Sequence, residues 1–243
     1  MISVNSSSYT AWMWRRKCLE KCGGQILLDE IRFVDDWCVK SPKNYQLWFH
    51  RRWLVEALLT RDLETVEALA ASESAALDLL IDAEPKHYHG WSHRMFIAKR
   101  LGLFESMSEL DFSLKYILKD VRNNSAWSHR RYAIRMHPHL TSEEIAFVVE
   151  QISLCPGNES PWVYLRSLEG WHLHKQVIGL MDSLTSLQQK SLQLHRDALD
   201  CLISFLLIDG KPDKARETLE SVVKNDINRS KILKLRLRQL PVS

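Results

Sequence analysis

The sequence predicts an all-α fold, an α-α superhelix built as a solenoid of helical hairpins, and three observations carry that prediction. Only 8 Gly and 7 Pro occur in 243 residues, too few for the many turns of an all-β chain, whereas the Leu, Ala, Glu, Lys and Arg content suits helices. Five of the nine tryptophans, Trp12, Trp48, Trp91, Trp127 and Trp162, stand at spacings of 36, 43, 36 and 35 residues, which marks an internal repeat. Between them, apolar side chains recur at the spacing of one-faced helices.

The copies read in order as Asn5-Ser-Ser-Ser-Tyr-Thr-Ala-Trp-Met-Trp-Arg-Arg16, Pro42-Lys-Asn-Tyr-Gln-Leu-Trp-Phe-His-Arg-Arg52, Pro85-Lys-His-Tyr-His-Gly-Trp-Ser-His-Arg94, Val121-Arg-Asn-Asn-Ser-Ala-Trp-Ser-His-Arg-Arg131 and Pro156-Gly-Asn-Glu-Ser-Pro-Trp-Val-Tyr-Leu-Arg166. Each opens with turn-forming residues and runs into a helix, and a second helix precedes the next copy. Leu27, Ile31, Val34 and Cys38 line one such second helix. Met107, Leu110, Leu114 and Ile117 line another. Thr141-Ser-Glu-Glu144 reads as a capping box that starts a third through Ile145, Val148 and Ile152. The wider gap between Trp48 and Trp91 predicts a longer helix or loop there. Trp and Arg three apart share a helical face, so the indole can fill the space between stacked pairs while the guanidinium bonds nearby carbonyls or carboxylates. His50, His93 and His129 recur two residues after a Trp and read as scaffold. The whole of 1–243 is predicted to be one helical-repeat domain, with about five repeats in 5–170 and a helical continuation over 171–243.

Composition excludes several classes of function. The net charge of +3 is concentrated in residues 221–243, which carry +5, so basic side chains do not form a spread face and nucleic-acid binding is not expected. The segment from Lys224 to Arg238 reads as a solvated helix face. Cys18, Cys22, Cys38, Cys155 and Cys201 follow no zinc spacing and are odd in number, so reduced thiols and a cytoplasmic location are expected. His137-x-His139 and His172-x-His174 lack a third ligand nearby, so no metal site is expected on this chain. The apolar run Cys201 to Ile208 is far shorter than a membrane span, and residues 1–8 do not read as a signal peptide. The Asn-x-Ser sequons at Asn5, Asn123, Asn158 and Asn228 therefore read as accidental.

At Pro42 to Arg52, at Asp120-Val-Arg-Asn-Asn-Ser-Ala-Trp127 and at Gly157-Asn-Glu-Ser-Pro-Trp-Val-Tyr-Leu165, the chain resembles the α subunit shared by protein farnesyltransferase and protein geranylgeranyltransferase type I. The resemblance covers roughly residues 5–170. It implies a TPR-like crescent of hairpins wrapped around a β subunit, with the active site at their interface. It also implies that the β subunit holds the zinc that activates the cysteine thiolate of a C-terminal CaaX sequence, that the thiolate attacks C1 of a prenyl diphosphate, and that the holoenzyme uses magnesium. Rab geranylgeranyltransferase α subunits carry related repeats and are the nearer alternative; a non-catalytic helical-repeat adaptor is the other.

The same resemblance assigns Lys43 to the diphosphate as the catalytic cation, Tyr45 and His89 to its neighbourhood, Gln46 to the C-terminal carboxylate of the CaaX peptide, and Tyr9 to the peptide groove. Chemistry supports a cation here, because negative charge grows on the departing diphosphate and a placed donor stabilises it. Taken without the resemblance, Lys43 is a loop lysine and Tyr45 and Tyr88 are packing residues three before a Trp. His87 stands in place of the Asn common in the family, which bears on any hydrogen bond that Asn would make, and Ser128-His129 departs from the usual pair. Met1 lies only eleven residues before Trp12, a short lead for the family, and an uncovered first hairpin would expose its apolar face.

Overall fold

The computed structural model describes Ile2 and residues 5–60, 64–189, 196–225 and 229–240, and every regular element among them is helical. The chain divides into two compact units, Met1–Glu109 and Leu110–Ser243. In the first, α1 (Tyr9–Leu19), α2 (Gly24–Lys40), α3 (Tyr45–Leu59), α4 (Glu64–Ala83) and α5 (Tyr88–Arg100) form successive antiparallel pairs, and α6 (Ser108–Lys119) begins at its end. The second holds the rest of α6, then α7 (Asn124–Ile134), α8 (Thr141–Leu154), α9 (Glu159–Leu165), α10 (Lys175–Gln189), α11 (Arg196–Ile208), α12 (Pro212–Asn225) and α13 (Ser230–Gln239). First helices pack on first helices, α1 on α3 on α5 and α7 on α9 on α11, while α2 packs on α3, α4 on α5, α8 on α9, α10 on α11 and α12 on α13. Among the described residues no helix is long and apolar enough to cross a membrane.

The wide spacing between Trp48 and Trp91 is taken up by α4, which at 20 residues is the longest described helix. Leu27, Ile31, Val34 and Cys38 are buried along α2, as are Ile145, Val148 and Ile152 along α8. Two local expectations are corrected. Met107 is exposed and precedes α6, whose buried face uses Leu110, Ser113, Tyr116 and Ile117. Thr141 caps nothing: a 3₁₀ turn over Pro138–Leu140 runs directly into α8, and the Thr141 hydroxyl donates to the Pro138 carbonyl at 2.7 Å. Glu144 is then free to turn inward instead of back to the helix end. Gly102 and Gly210 follow α5 and α11 at φ near +70°, the left-handed turn that a Cβ would disfavour.

All five register tryptophans are buried, and each indole Nε1–H donates to a carbonyl six residues earlier: Ser6, Pro42, Pro85, Val121 and Pro156, at 2.6–2.8 Å. A buried indole needs such a partner. The loop that precedes each first helix is thus tied to that helix. Asn123 and Asn158 are buried helix caps within their sequons, and Asn228 lies outside the described residues.

The register arginines meet carboxylates of second helices. Arg15, Arg51, Arg94 and Arg130 form forked pairs with Glu30, Glu73, Glu109 and Glu144, with the Nη2 contacts at 2.6–2.8 Å. Three of these carboxylates also bind the residue two after the next Trp: His50 Nε2 to Glu30 at 2.8 Å, His93 Nε2 to Glu73 at 2.7 Å and the Tyr164 hydroxyl to Glu144 at 2.7 Å. One buried carboxylate therefore joins two hairpins. Burial alone would raise the Glu73 pKa, but His93 and Arg51 outweigh it and hold the group at about 2. Burial dominates at His50 and His93, whose pKa values are lowered, so both rings are neutral and donate from Nε2.

Two predictions follow from this packing. Trp127 touches Tyr164, with ring centroids 5.0 Å apart, in the buried interior of the second unit. Trp127→Ala is expected to destabilise the chain by about 3–5 kcal/mol, and an unchanged melting temperature would contradict it. The second concerns pH. Glu73, His50 and His93 all have folded pKa values below their unfolded ones, so between the two values the unfolded chain binds more protons. Stability is therefore complete above the ordinary histidine value of 6.5 and is lost as pH falls, with a further loss below 4.5 towards about 2. A denaturation midpoint independent of pH between 7 and 5 would show that these histidines are not buried neutral.

Candidate functional site

The N-terminal ends of α1, α3 and α5 build the site from the loop carbonyls upward. Asn44 caps α3, its Oδ1 accepting from the Gln46 and Leu47 N–H groups at 2.9 and 3.3 Å, while its Nδ2 donates to the Ser6 carbonyl at 2.6 Å. That carbonyl also receives the Trp12 indole. Asn158 repeats the arrangement on the Val121 carbonyl at 2.7 Å in the second unit. One side chain thus caps its own helix and ties it to the preceding copy.

His87 takes the capping position on α5 and supplies the cap, but its buried Nε2 has no hydrogen-bond partner, so it does not repeat the second bond of the Asn44 and Asn158 amides. Its Nδ1 accepts from the Gly90 N–H at 2.9 Å, and the Pro42 carbonyl, which binds the Trp48 indole, also acts on this ring. The cap survives the departure from Asn. Gly90 makes room for it: a Cβ there would meet Leu80 Cδ2 at 3.0 Å, His87 Nδ1 at 3.2 Å and Ile81 Cγ1 at 3.3 Å.

This framework brings Lys43, Tyr45 and His89 together. The His89 ring stacks parallel to Trp48 at 6.0 Å and meets the Tyr45 ring edge-on at 4.4 Å and the Tyr88 ring at 5.4 Å. Burial, then the neighbouring His87, lower the His89 pKa against a hydrogen bond to the Lys43 backbone that raises it, so the ring is neutral near pH 7. Tyr45 and Tyr88, which would read as packing without the resemblance, are 70% and 65% exposed at the first positions of α3 and α5. Lys43 is 75% exposed, and its Nζ lies 3.1 Å from the half-exposed Glu84. Gln46 is half-buried one residue beyond Tyr45, and Tyr9 holds the matching exposed place on α1.

Glu84 and Tyr88 belong to the cluster but were not singled out as site residues. Tyr88 had a signal, since it stands three before Trp91 as Tyr45 does before Trp48. Glu84 had none beyond its place before Pro85. The arrangement suits an anion: an exposed ammonium group, two helix N-termini and a neutral imidazole lie along one edge. A forming anion would draw Lys43 from Glu84, and an exposed pair of this kind costs only about 0–1 kcal/mol to open. Among the described residues no group of three or more His, Cys, Asp or Glu side chains is placed to hold a metal ion.

Comparison with known proteins adds to this geometry. Residues 27–58, 71–101, 106–137 and 141–178, more than half of the chain, match the protein prenyltransferase alpha subunit repeat. The geranylgeranyl transferase type-2 subunit alpha of Candida albicans is 27% identical over 151 residues, which cover 54% of this chain and 40% of that protein. The Homo sapiens protein of the same description is 23% identical over 230 residues, covering 84% and 36%. The chain thus spans about two fifths or less of the length of these curated relatives. Among solved structures, Candida albicans protein geranylgeranyltransferase-I complexed with GGPP matches with a TM-score of 0.71 and 25% identity over 99% of this chain and 81% of that one.

Proposed function

Because the chain belongs to the protein prenyltransferase α-subunit repeat family, we propose that it is the α subunit of a heterodimeric CaaX protein prenyltransferase, which transfers farnesyl or geranylgeranyl from its diphosphate to a cysteine thiol near the C-terminus of target proteins. The observation that carries this reading is the placement of Lys43 at the N-terminus of α3, beside Tyr45 and a neutral His89. Negative charge accumulates on the diphosphate as the bond from its oxygen to the prenyl C1 breaks. Lys43 stabilises that charge more than the ground state, the α3 amide dipoles add to it, and His89 contributes a hydrogen bond without a competing charge. Gln46 and Tyr9 border the path of the acceptor peptide. In this reading the β subunit holds the zinc that lowers the pKa of the acceptor thiol, and magnesium accompanies the diphosphate. The working place of such a heterodimer is the cytoplasm.

A second reading has its own observation. The relatives named above are type-2 subunits, and a Rab-type α subunit would use the same repeats and the same Lys43 edge. Lys43 with Gln46 in the Pro42 to Arg52 stretch favours the CaaX reading. Co-expression with each class of β subunit separates them: transfer to CaaX peptides supports the first, transfer that requires a Rab substrate supports the second, and no assembly with either class leaves an adaptor.

Single-turnover kinetics of the assembled heterodimer tests the site. Lys43→Ala is expected to slow transfer by about 10²–10³ with a smaller effect on prenyl diphosphate binding. Glu84→Gln, which releases the ammonium, is expected to tighten that binding by about two- to fivefold. A Lys43→Ala rate equal to the parent would remove this chain from the chemical step.

A further inference from the structure

Arg16 breaks the rule that the other buried arginines obey. Arg51, Arg94 and Arg130 are each forked onto a glutamate, yet Arg16 is only 7% exposed and its buried Nη1 has no hydrogen-bond partner. The guanidinium lies over the Phe49 ring, 4.7 Å from its centre, with Tyr9 nearby, and burial lowers its pKa. Arg52 and Arg131 occupy the same place, four after a Trp, but both are exposed and solvated. A buried guanidinium nitrogen without a partner is destabilising, and a countercharge arriving from outside the chain would relieve it. Two observations show where it would arrive. Tyr9 and Phe49 are 60% and 56% exposed, so the rings that flank Arg16 are open to solvent.

We propose that Arg16, Tyr9 and Phe49 form a docking socket for an aspartate or glutamate side chain of the partner subunit. The inference rests on the heterodimer proposed above and names a contact within it. A carboxylate is the fitting group because guanidinium is permanently charged and presents a planar fork of donors, which a neutral carbonyl satisfies only in part. The exposed rings of Tyr9 and Phe49 would close around the pair and exclude water, which strengthens it.

The test uses Arg16→Met, which keeps the apolar stem and removes the charge, with two readouts. In the chain alone the melting temperature is expected to rise by about 2 °C or more, because an unpaired buried charge is gone. In the assembled heterodimer, affinity for the β subunit is expected to fall by about 30-fold or more, the loss that follows when a buried charge pair is truncated. A melting temperature that falls would show that Arg16 serves the chain's own fold and would overturn the proposal, as would unchanged affinity for the β subunit. Failure of the parent chain to assemble with any β subunit would instead overturn the heterodimer reading, and this contact with it.

Discussion

A carboxylate buried on the second helix of a hairpin is the constraint on which the rest of the structure depends. Taking that charge out of water costs several kcal/mol, and the cost is offset only if both oxygens are bonded in good geometry. Glu30, Glu73 and Glu144 achieve this with a guanidinium from their own hairpin and a ring donor from the next. The requirement is directional. A hairpin that slid by a turn would strand the glutamate, so the charge fixes register in a way that apolar packing alone does not. The indole bonds to the loop carbonyls and the Asn or His caps complete the lock from the other end of each first helix.

Rigid loops and fixed helix starts matter because the candidate site is made of little else. Lys43 sits in the loop that Asn44 and Trp48 hold, and His89 is oriented by Trp48 on one side and by the capped start of α5 on the other. The buried network keeps its histidines neutral and out of the chemistry, whereas the edge keeps its cation exposed and movable. Scaffold and candidate site are thus divided along α3 and α5, with the stitch in the middle of each helix and the candidate site groups at its N-terminus.

Much of the scaffold was legible because its signals are local. Trp and Arg three apart must share a helical face wherever they occur, and four copies made the pattern plain, the fifth shifting its Arg by one. Their glutamate partners were not legible, since the separation from Arg to Glu is 15 residues in two copies, 14 in another and 22 where α4 is long. Thr141 to Glu144 misled for a related reason: Glu144 has the spacing of a cap but is claimed by Arg130. At the site, Lys43, Tyr45 and His89 were reached through the family resemblance, and folding then brought Glu84 and Tyr88 beside them. Arg16 could not have been told from Arg52 or Arg131, because only burial separates them.

The claim that a shared carboxylate couples neighbouring hairpins is tested most directly by a double-mutant cycle between Glu73 and His93, which lie 20 residues apart in sequence and 2.7 Å apart in space. Denaturant unfolding of Glu73→Gln, His93→Phe and the double variant gives their coupling energy. The account predicts about 1.5 kcal/mol or more, as for a hydrogen bond to a buried charged group. A coupling near zero would contradict it, and would mean that the hairpins are held in register by apolar packing alone.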